Sequence, residues 1–326
     1  MKATVLGIGA WGTALAKILA EQGHHVTLWG HDPAQVQSIA NSRHNNLYLP
    51  DVALPESIQL ESDLARGTAK SDLIVLAVAS RFARQVAEQL SDQKTTIVSV
   101  TKGIEYDTGL TMSGILEQAM PKSRVAALSG PTLALEVARG IPTAIVAASS
   151  QTNTATFVQT AFHRPEFRVY TSNDIHGVEL GGALKNVIAI AAGVCDGLGF
   201  GDNSKAALVT RGIAEVRRLG IACGAQSDTF AGLSGIGDLT VTCFSRLSRN
   251  RGFGERLGKG ESVDAILNSM VAVAEGVPTA KSARQLALKL GVYVPIIDEV
   301  HAMVYEGKPP EQALQDLITR DSKPED

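Results

Sequence analysis

Cysteine is scarce. The 326-residue chain has three, Cys195, Cys223 and Cys243, and none stands in a C-x-x-C pair. An odd, scattered set argues for a reducing compartment and against a disulfide framework or structural zinc. The seven histidines include the adjacent pair His24 and His25 but form no H-E-x-x-H pattern, so no metal site is expected. No apolar run reaches the ~18 uninterrupted residues of a membrane span, and no membrane insertion is expected. The first strand-like run begins at Ala3, too early to leave room for a cleavable leader, so the expected location is cytoplasmic. Net charge is only −3 with 44% hydrophobic residues. That excludes a disordered chain and gives no reason to expect a nucleic-acid partner.

What is present begins at once. A β-type run from Ala3 to Leu6 leads into Gly7-Ile8-Gly9-Ala10-Trp11-Gly12, then a helical pattern to about Gln22. His25 to Trp29 reads as a second strand. This is G-x-G-x-x-G in its required strand–turn–helix setting. Gly7 permits the tight turn, Gly9 lets a pyrophosphate approach the backbone, and Gly12 lets helix and strand pack closely. The helix start supplies free N–H groups and a positive dipole end. An NAD site usually carries an acid at the end of the second strand, about 20 residues on. Here the chain offers Gly30-His31-Asp32, with Asp32 slightly late. His31 either donates to a 2′-phosphate or is a solvated loop residue. NADP is therefore favoured as cofactor, with NAD also allowed.

Strand-like runs continue at 72–78, 96–101, 125–129, 143–147 and 167–171, with helical segments near 81–90 and 112–119. The alternation predicts an α/β fold, a Rossmann-like doubly wound, mostly parallel sheet. From Val178 onward the periodicity is helical, over 178–194, 204–224, 262–269, 278–290, 295–306 and 309–318. The expectation is a dinucleotide-binding domain over 1–177 and an all-α substrate and catalytic domain over 178–326.

Lys185 is the only charged residue between Glu179 and Asp196, in an apolar helical stretch with no carboxylate in sequence reach. Burial would lower its pKa toward values useful for proton transfer; the alternative is a lysine that snorkels to the surface. Gly181, Ala189 and Ala192 share its helix face, which predicts room for a ligand beside the amine. Lys102 and Gly130-Pro131-Thr132 follow two strands, where open sheets bind ligands, and Thr132 is placed to cap a helix. Gly235-Ile236-Gly237-Asp238 reads as a glycine-rich turn that positions one carboxylate. Ser248, Arg249, Asn250 and Arg251 cluster before a helix, either as a phosphate fork or as a basic turn. Glu275 lies in an apolar run, as a helix cap or a cofactor contact.

Taken in order, GIGAWGTALA, TKGIE, SGPTLALEVA, LGGALKNVIAIAAG, GIGDLTVTC, SRNRGFG and AEGVPTA resemble the prokaryotic NAD(P)-dependent glycerol-3-phosphate dehydrogenase family. The likeness runs from residue 3 to about 290. It implies that Lys185 gives a proton to the substrate carbonyl oxygen in reduction and takes it back in oxidation. It places Lys102, Gly130, Thr132, Lys185, Asp238, Ser248, Arg249 and Asn250 on the substrate. It places Trp11, His31, Lys102, Ala134, Arg249, Val273 and Glu275 on the cofactor, with the turn Gly7, Gly9, Ala10 and Gly12. It further implies reduction of dihydroxyacetone phosphate to sn-glycerol 3-phosphate, the phospholipid backbone precursor, by a homodimer. One departure is visible: Ala77-Val78-Ala79-Ser80 has alanine where the family commonly has proline. The rival readings are a related two-domain dehydrogenase of β-hydroxy acids or ketopantoate, and a non-catalytic NAD(P)-binding redox sensor.

Overall fold

In the computed structural model, which describes residues 1–320, the apolar runs of the first half become strands. They are β1 (Lys2–Leu6), β2 (His25–Trp29), β3 (His44–Asn45), β4 (Leu49–Ala53), β5 (Gln59–Glu61), β6 (Leu73–Leu76), β7 (Thr96–Ser99), β8 (Arg124–Ser129), β9 (Thr143–Ala148) and β10 (Phe167–Ser172). All but the β3–β4 hairpin lie in one eight-stranded sheet, in the order β10-β9-β8-β7-β6-β1-β2-β5. Every pair in it is parallel except β8 with β9. Both faces are buried, as a parallel sheet requires. Within β6, Leu73 and Val75 join one core while Ile74 and Leu76 join the other, the period-two alternation of a strand.

The helices of this half are α1 (Ala10–Glu21), α2 (Pro33–Ser42), α3 (Leu64–Thr68), α4 (Ala83–Glu88), α5 (Met112–Ala119), α6 (Ala134–Ala138) and α7 (Thr152–Phe162). The second half is α8 (Ile175–Gly197), α9 (Asp202–Ala222), α10 (Asp238–Phe244), α11 (Arg249–Gly258), α12 (Val263–Ser269), α13 (Gly276–Leu290), α14 (Pro295–Tyr305) and α15 (Pro310–Ile318). The expected strands 72–78 and 96–101 end early, because the chain leaves the sheet at Ala77 and Val100 to form the loops that border the cleft.

The centre of the helical half is α8. Its 23 residues and mean hydropathy of 1.5 would suffice to cross a bilayer, yet the whole apolar window is buried inside the protein. Its small residues are there for close packing. A Cβ on Gly181 would lie 2.5 Å from the Ser234 carbonyl oxygen, and one on Gly193 would lie 2.0 Å from that of Arg251. Ala189 and Ala192 are fully buried. This corrects the expectation of ligand space at Gly181, which the Ser234 backbone fills.

Two buried carboxylates join the halves or shape the junction. Glu179 of α8 accepts from Ser113 N at 2.9 Å and Ser113 Oγ at 2.5 Å at the start of α5, and burial pushes its pKa up. Asp174 caps α8 through Gly177 N at 2.9 Å and also accepts from Gln226 N at 2.9 Å.

Candidate active site

The sheet order reverses between β1 and β6: the chain runs from β1 outward to β2, then returns to β6 on the other side. A switch point of this kind opens a crevice at the carboxyl ends of the strands. The fingerprint turn sits there. Gly7 has φ +123°, and a Cβ on it would meet the Ala77 carbonyl oxygen at 2.7 Å. A Cβ on Gly12 would fall 2.1 Å from the Gly7 carbonyl oxygen, whereas one on Gly9 meets nothing within 4 Å. Space is thus kept above Gly9, beside the N-terminus of α1. These are the conditions a pyrophosphate needs, and the turn fits a dinucleotide. Trp11 stacks obliquely near Phe167, with ring centroids 6.4 Å apart. Its Nε1 is buried without a hydrogen-bond partner among the described residues. Ala134 opens α6 and packs with Trp11 around the β4 contact cluster.

Lys185 does not snorkel. It is 7% exposed, and its ammonium donates to Asp238 Oδ1 at 2.5 Å and to Thr242 Oγ1 at 2.6 Å. The missing carboxylate is Asp238, 53 residues onward and 1% exposed. Its other oxygen, Oδ2, accepts from Lys102 Nζ at 2.5 Å. One aspartate therefore bridges two lysines. Lys102 also donates to the Gly130 carbonyl oxygen at 3.2 Å. Gly130 has φ +153°, and a Cβ on it would press on Ile145 Cα at 3.1 Å. Burial lowers the Lys185 pKa to about 8; Asp238 opposes that shift and Lys102 adds to it. An amine at that value gives and takes protons near neutrality.

Asp238 is held by an unusual approach. Residues Leu233–Gly237 form one π-turn, with Gly235 at φ −95°, ψ −105°, and α10 starts at Asp238 itself. The expected glycine-rich turn is thus a distorted helical entry. A Cβ on Gly235 would overlap Phe230 backbone at 2.1 Å, so only glycine fits.

Two other local expectations are corrected, and for Glu275 the capping alternative falls away. Thr132 caps no helix: Leu133 occupies the N-cap of α6, and Thr132 Oγ1 donates to the Gly130 carbonyl at 3.0 Å. Ser248-Arg249-Asn250 does not precede a helix but begins one. Ser248 is the N-cap, accepting from Arg251 N at 3.2 Å, and Arg249 and Asn250 lie in the first turn of α11. Glu275 stands at the N-cap of α13 but makes no side-chain cap bond. Instead its carboxylate accepts from Ser80 N at 3.2 Å and Ser80 Oγ at 2.7 Å.

Arg249 is solvent-accessible, yet surrounding protein atoms lower its pKa by desolvation, with the Glu275 charge opposing. Both hold for a guanidinium lining an open cleft. Arg251 is already engaged, with Asp196 at 2.6 Å and Glu255 at 3.3 Å. Asn250 is tied inward, donating to Asn186 Oδ1 at 2.9 Å and accepting from Gly276 N at 2.8 Å. It fixes α8, α11 and α13 to one another.

The structure therefore gathers Lys102, Gly130, Thr132, Lys185 and Asp238 in contact. His31 is exposed beyond β2, where neighbouring Asp32 caps α2, its Oδ1 accepting from Ala34 N at 2.9 Å. Val273 lies on an exposed loop, 38% accessible. Sequence reasoning missed Thr242, which accepts from Lys185 and donates to the Asp238 carbonyl at 2.6 Å. Its signal was the i, i+4 spacing from Asp238 on α10. Ser80 and Asn186 were also missed. A surface hollow of about 720 Å³ lined by Leu133, Glu136, Ile236, Gly237 and Phe244 contains none of the lysines; the chemistry lies beside it.

Comparison with known proteins agrees with this geometry. Residues 2–155 match the family of the NAD-dependent glycerol-3-phosphate dehydrogenase N-terminus, and residues 174–315 match that of its C-terminus. A glycerol-3-phosphate dehydrogenase [NAD(P)+] of Chlorobium phaeobacteroides (strain BS1) is 49% identical, covering 100% of this chain and 99% of its own. One from Geobacter sp. (strain M21) is 48% identical, covering 99% and 98%. The crystal structure of glycerol-3-phosphate dehydrogenase from Coxiella burnetii superimposes with a TM-score of 0.95 at 36% identity, covering 98% of this chain and 99% of that one. Two glycine turns and a shared aspartate thus sit in a chain whose full length matches one group of enzymes, and the protein belongs to the NAD-dependent glycerol-3-phosphate dehydrogenase family.

Proposed function

We propose that this site reduces dihydroxyacetone phosphate to sn-glycerol 3-phosphate, with Lys185 as the proton donor. The observation that carries this reading is Lys185 buried against Asp238 and Thr242, with Lys102 on the same aspartate. When bound, the reduced nicotinamide supplies the hydride for the C2 carbonyl. The Lys185 ammonium stabilises the charge that develops on the carbonyl oxygen and protonates it. Asp238 and Thr242 hold the amine in one direction, and Asp238 keeps it charged. Lys102, Lys185 and Arg249 outnumber the nearby acids Asp238 and Glu275, a balance that favours a phosphate dianion. Anchoring the phosphate away from the reacting carbon orients the carbonyl for the chemical step. Following NADPH oxidation with dihydroxyacetone phosphate, ketopantoate and β-keto acids tests the reading; activity on the carboxylates alone would overturn it.

Arg249 is the proposed phosphate anchor. Arg249→Ala should lower kcat/KM about ten- to a hundredfold, as expected for losing a charge-assisted contact of about 1.5–3 kcal/mol. Arg249→Lys should already be impaired, because it loses the fork. On unphosphorylated dihydroxyacetone both variants should differ little from wild type. An equal loss on both substrates would move the anchor to Lys102, since Arg251 is engaged by Asp196 and Glu255.

The remaining assignments follow from the same reading. The proposed division is a dinucleotide-binding unit over 1–177 and a substrate and catalytic unit over 178–326; α8 itself starts earlier, at Ile175, and 321–326 lie outside the described residues. Gly7, Gly9, Ala10, Trp11 and Gly12 surround the pyrophosphate, and Ala134, Val273 and Glu275 border the cofactor. The enzyme works in the cytoplasm as a homodimer. The β2 end lacks an acid to repel a 2′-phosphate, so NADPH is preferred. His31→Asp should shift kcat/KM toward NADH by about two- to fivefold, the scale of an exposed charge pair. A wild type that strongly prefers NADH would refute the preference.

A further inference from the structure

Ser80 meets both Gly103, next to Lys102, and Glu275 of the helical half. It opens the short 3-10 turn Ser80–Phe82 after β6. Four residues before it, the chain leaves β6 at Leu76, and the Ala77 carbonyl crowds Gly7 of the fingerprint turn. On its other side lies Gly103, where a Cβ would sit 2.5 Å from Ser80 Cβ and 3.0 Å from Ser80 Oγ. Gly103 follows Lys102, Lys102 contacts Asp238, and Asp238 holds Lys185. A continuous line of contacts thus leads from the dinucleotide turn through Ser80 to the proton donor.

Across this line comes Glu275, 195 residues away and on the helical half. Both of its carboxylate oxygens are spent on Ser80, one on the N–H and one on the hydroxyl. It caps nothing in its own helix. Its negative charge is also felt by Arg249. The preceding residue, Ala79, has φ −60°, the angle a proline would impose. The loop therefore has a proline-like turn without the proline, and the Ser80 bonds to Glu275 help fix its far end.

We propose that Ser80 is a positioning residue: it holds Glu275 across the cleft between the fingerprint turn and Lys185, so that the two halves clasp the nicotinamide end of the bound cofactor. This rests on the cleft being the dinucleotide site, which NADPH binding by the wild-type enzyme tests separately. Two donors on one carboxylate fix its orientation, and charge-assisted bonds are the strong class. Removing the hydroxyl leaves the N–H and one poorly oriented acid.

The test measures NADPH affinity and dissociation rate by nucleotide fluorescence in full-length protein. S80A should bind NADPH more weakly, by at most about tenfold and through faster dissociation, because the bond is already made in the free protein and only its preorganisation of Glu275 is lost. Its kcat at saturating cofactor should stay within about twofold of wild type, because the bond is uniform to ground and transition states. Its melting temperature without cofactor should stay within about 4 °C, the scale of one part-buried hydrogen bond in a domain of this size. E275A, which removes both acceptors, should weaken binding similarly, whereas E275Q can keep both contacts, its Oε1 accepting from the Ser80 N–H and its Nε2 donating to Ser80 Oγ, and should lie nearer wild type. In the E275A background, S80A should add nothing further. Unchanged NADPH dissociation in S80A or in E275A would overturn the proposal. So would losses that add in the double variant, since Ser80 would then act by another route.

Discussion

Lys185→Ala should lower kcat by about 10²–10⁴-fold, the usual contribution of a positioned general acid, while NADPH binding persists. The lysine touches no part of the fingerprint turn, and its partners are Asp238 and Thr242. The sharper signature is in pH. Its pKa lies at about 8, lowered mainly by burial. Ketone reduction needs the ammonium, so kcat/KM in that direction should fall as pH rises through about 8. Alcohol oxidation needs the free amine and should rise through the same value. Both limbs should vanish from the residual activity of the alanine variant. Stability carries the same sign of information. The folded pKa lies below the usual lysine value of 10.5, so the unfolded chain holds the proton more tightly between about 8 and 10.5. This group alone makes unfolding harder as pH rises across that window. A variant with near-normal kcat, or a profile whose limb at about 8 survives the substitution, would remove Lys185 from the proton step.

Much of this was legible in the sequence because the signals were local. The fingerprint needs only six neighbouring residues: Gly7 makes the tight turn, Gly12 packs closely and the space at Gly9 is open. The isolation of Lys185 in an apolar helix left burial and snorkelling both open, and the fold decides for burial. What the sequence could not announce was partnership. Asp238 lies 53 residues from Lys185, Glu275 lies 195 from Ser80, and Glu179 lies 66 from Ser113. No spacing rule links such pairs; the fold alone brings them together. The small face of α8 misled for a related reason. Glycine and alanine signal close approach, but not whether a ligand or another backbone approaches, and at Gly181 it is the Ser234 backbone. Secondary structure was missed where tertiary contacts outvote propensity. The helix α7 reads TNTATFVQTAF, rich in threonine, and forms by burying Val158, Ala161 and Phe162. The three-residue edge strand β5 is held by β2 alone.

Asp238→Asn should be the most destabilising single change in the site. The aspartate is 1% exposed and faces two ammonium groups at 2.5 Å each. Removing one partner of a buried ionic set typically costs about 3–5 kcal/mol, because the charges left behind are uncompensated. Here two cations would be left facing each other. Lys185 can relieve part of that cost by releasing its proton. Asp238 is the group that raises the Lys185 pKa, while Lys102 lowers it. In the asparagine variant the reduction profile should therefore turn down well below pH 8, and activity at pH 7 should fall even in the folded fraction. Urea unfolding followed by tryptophan fluorescence would measure the first effect, and the kcat/KM profile the second. Lys102→Met in the Asp238→Asn background then separates electrostatics from packing. Deleting the second ammonium removes the repulsion, so the double variant should regain part of the lost stability and part of the pH shift. It should not regain substrate affinity, since Lys102 is itself a proposed phosphate-side contact. If the double variant were less stable than Asp238→Asn by the full cost of Lys102→Met alone, the two lysines would not be coupled through this carboxylate. The bridging role given to Asp238 would then be wrong.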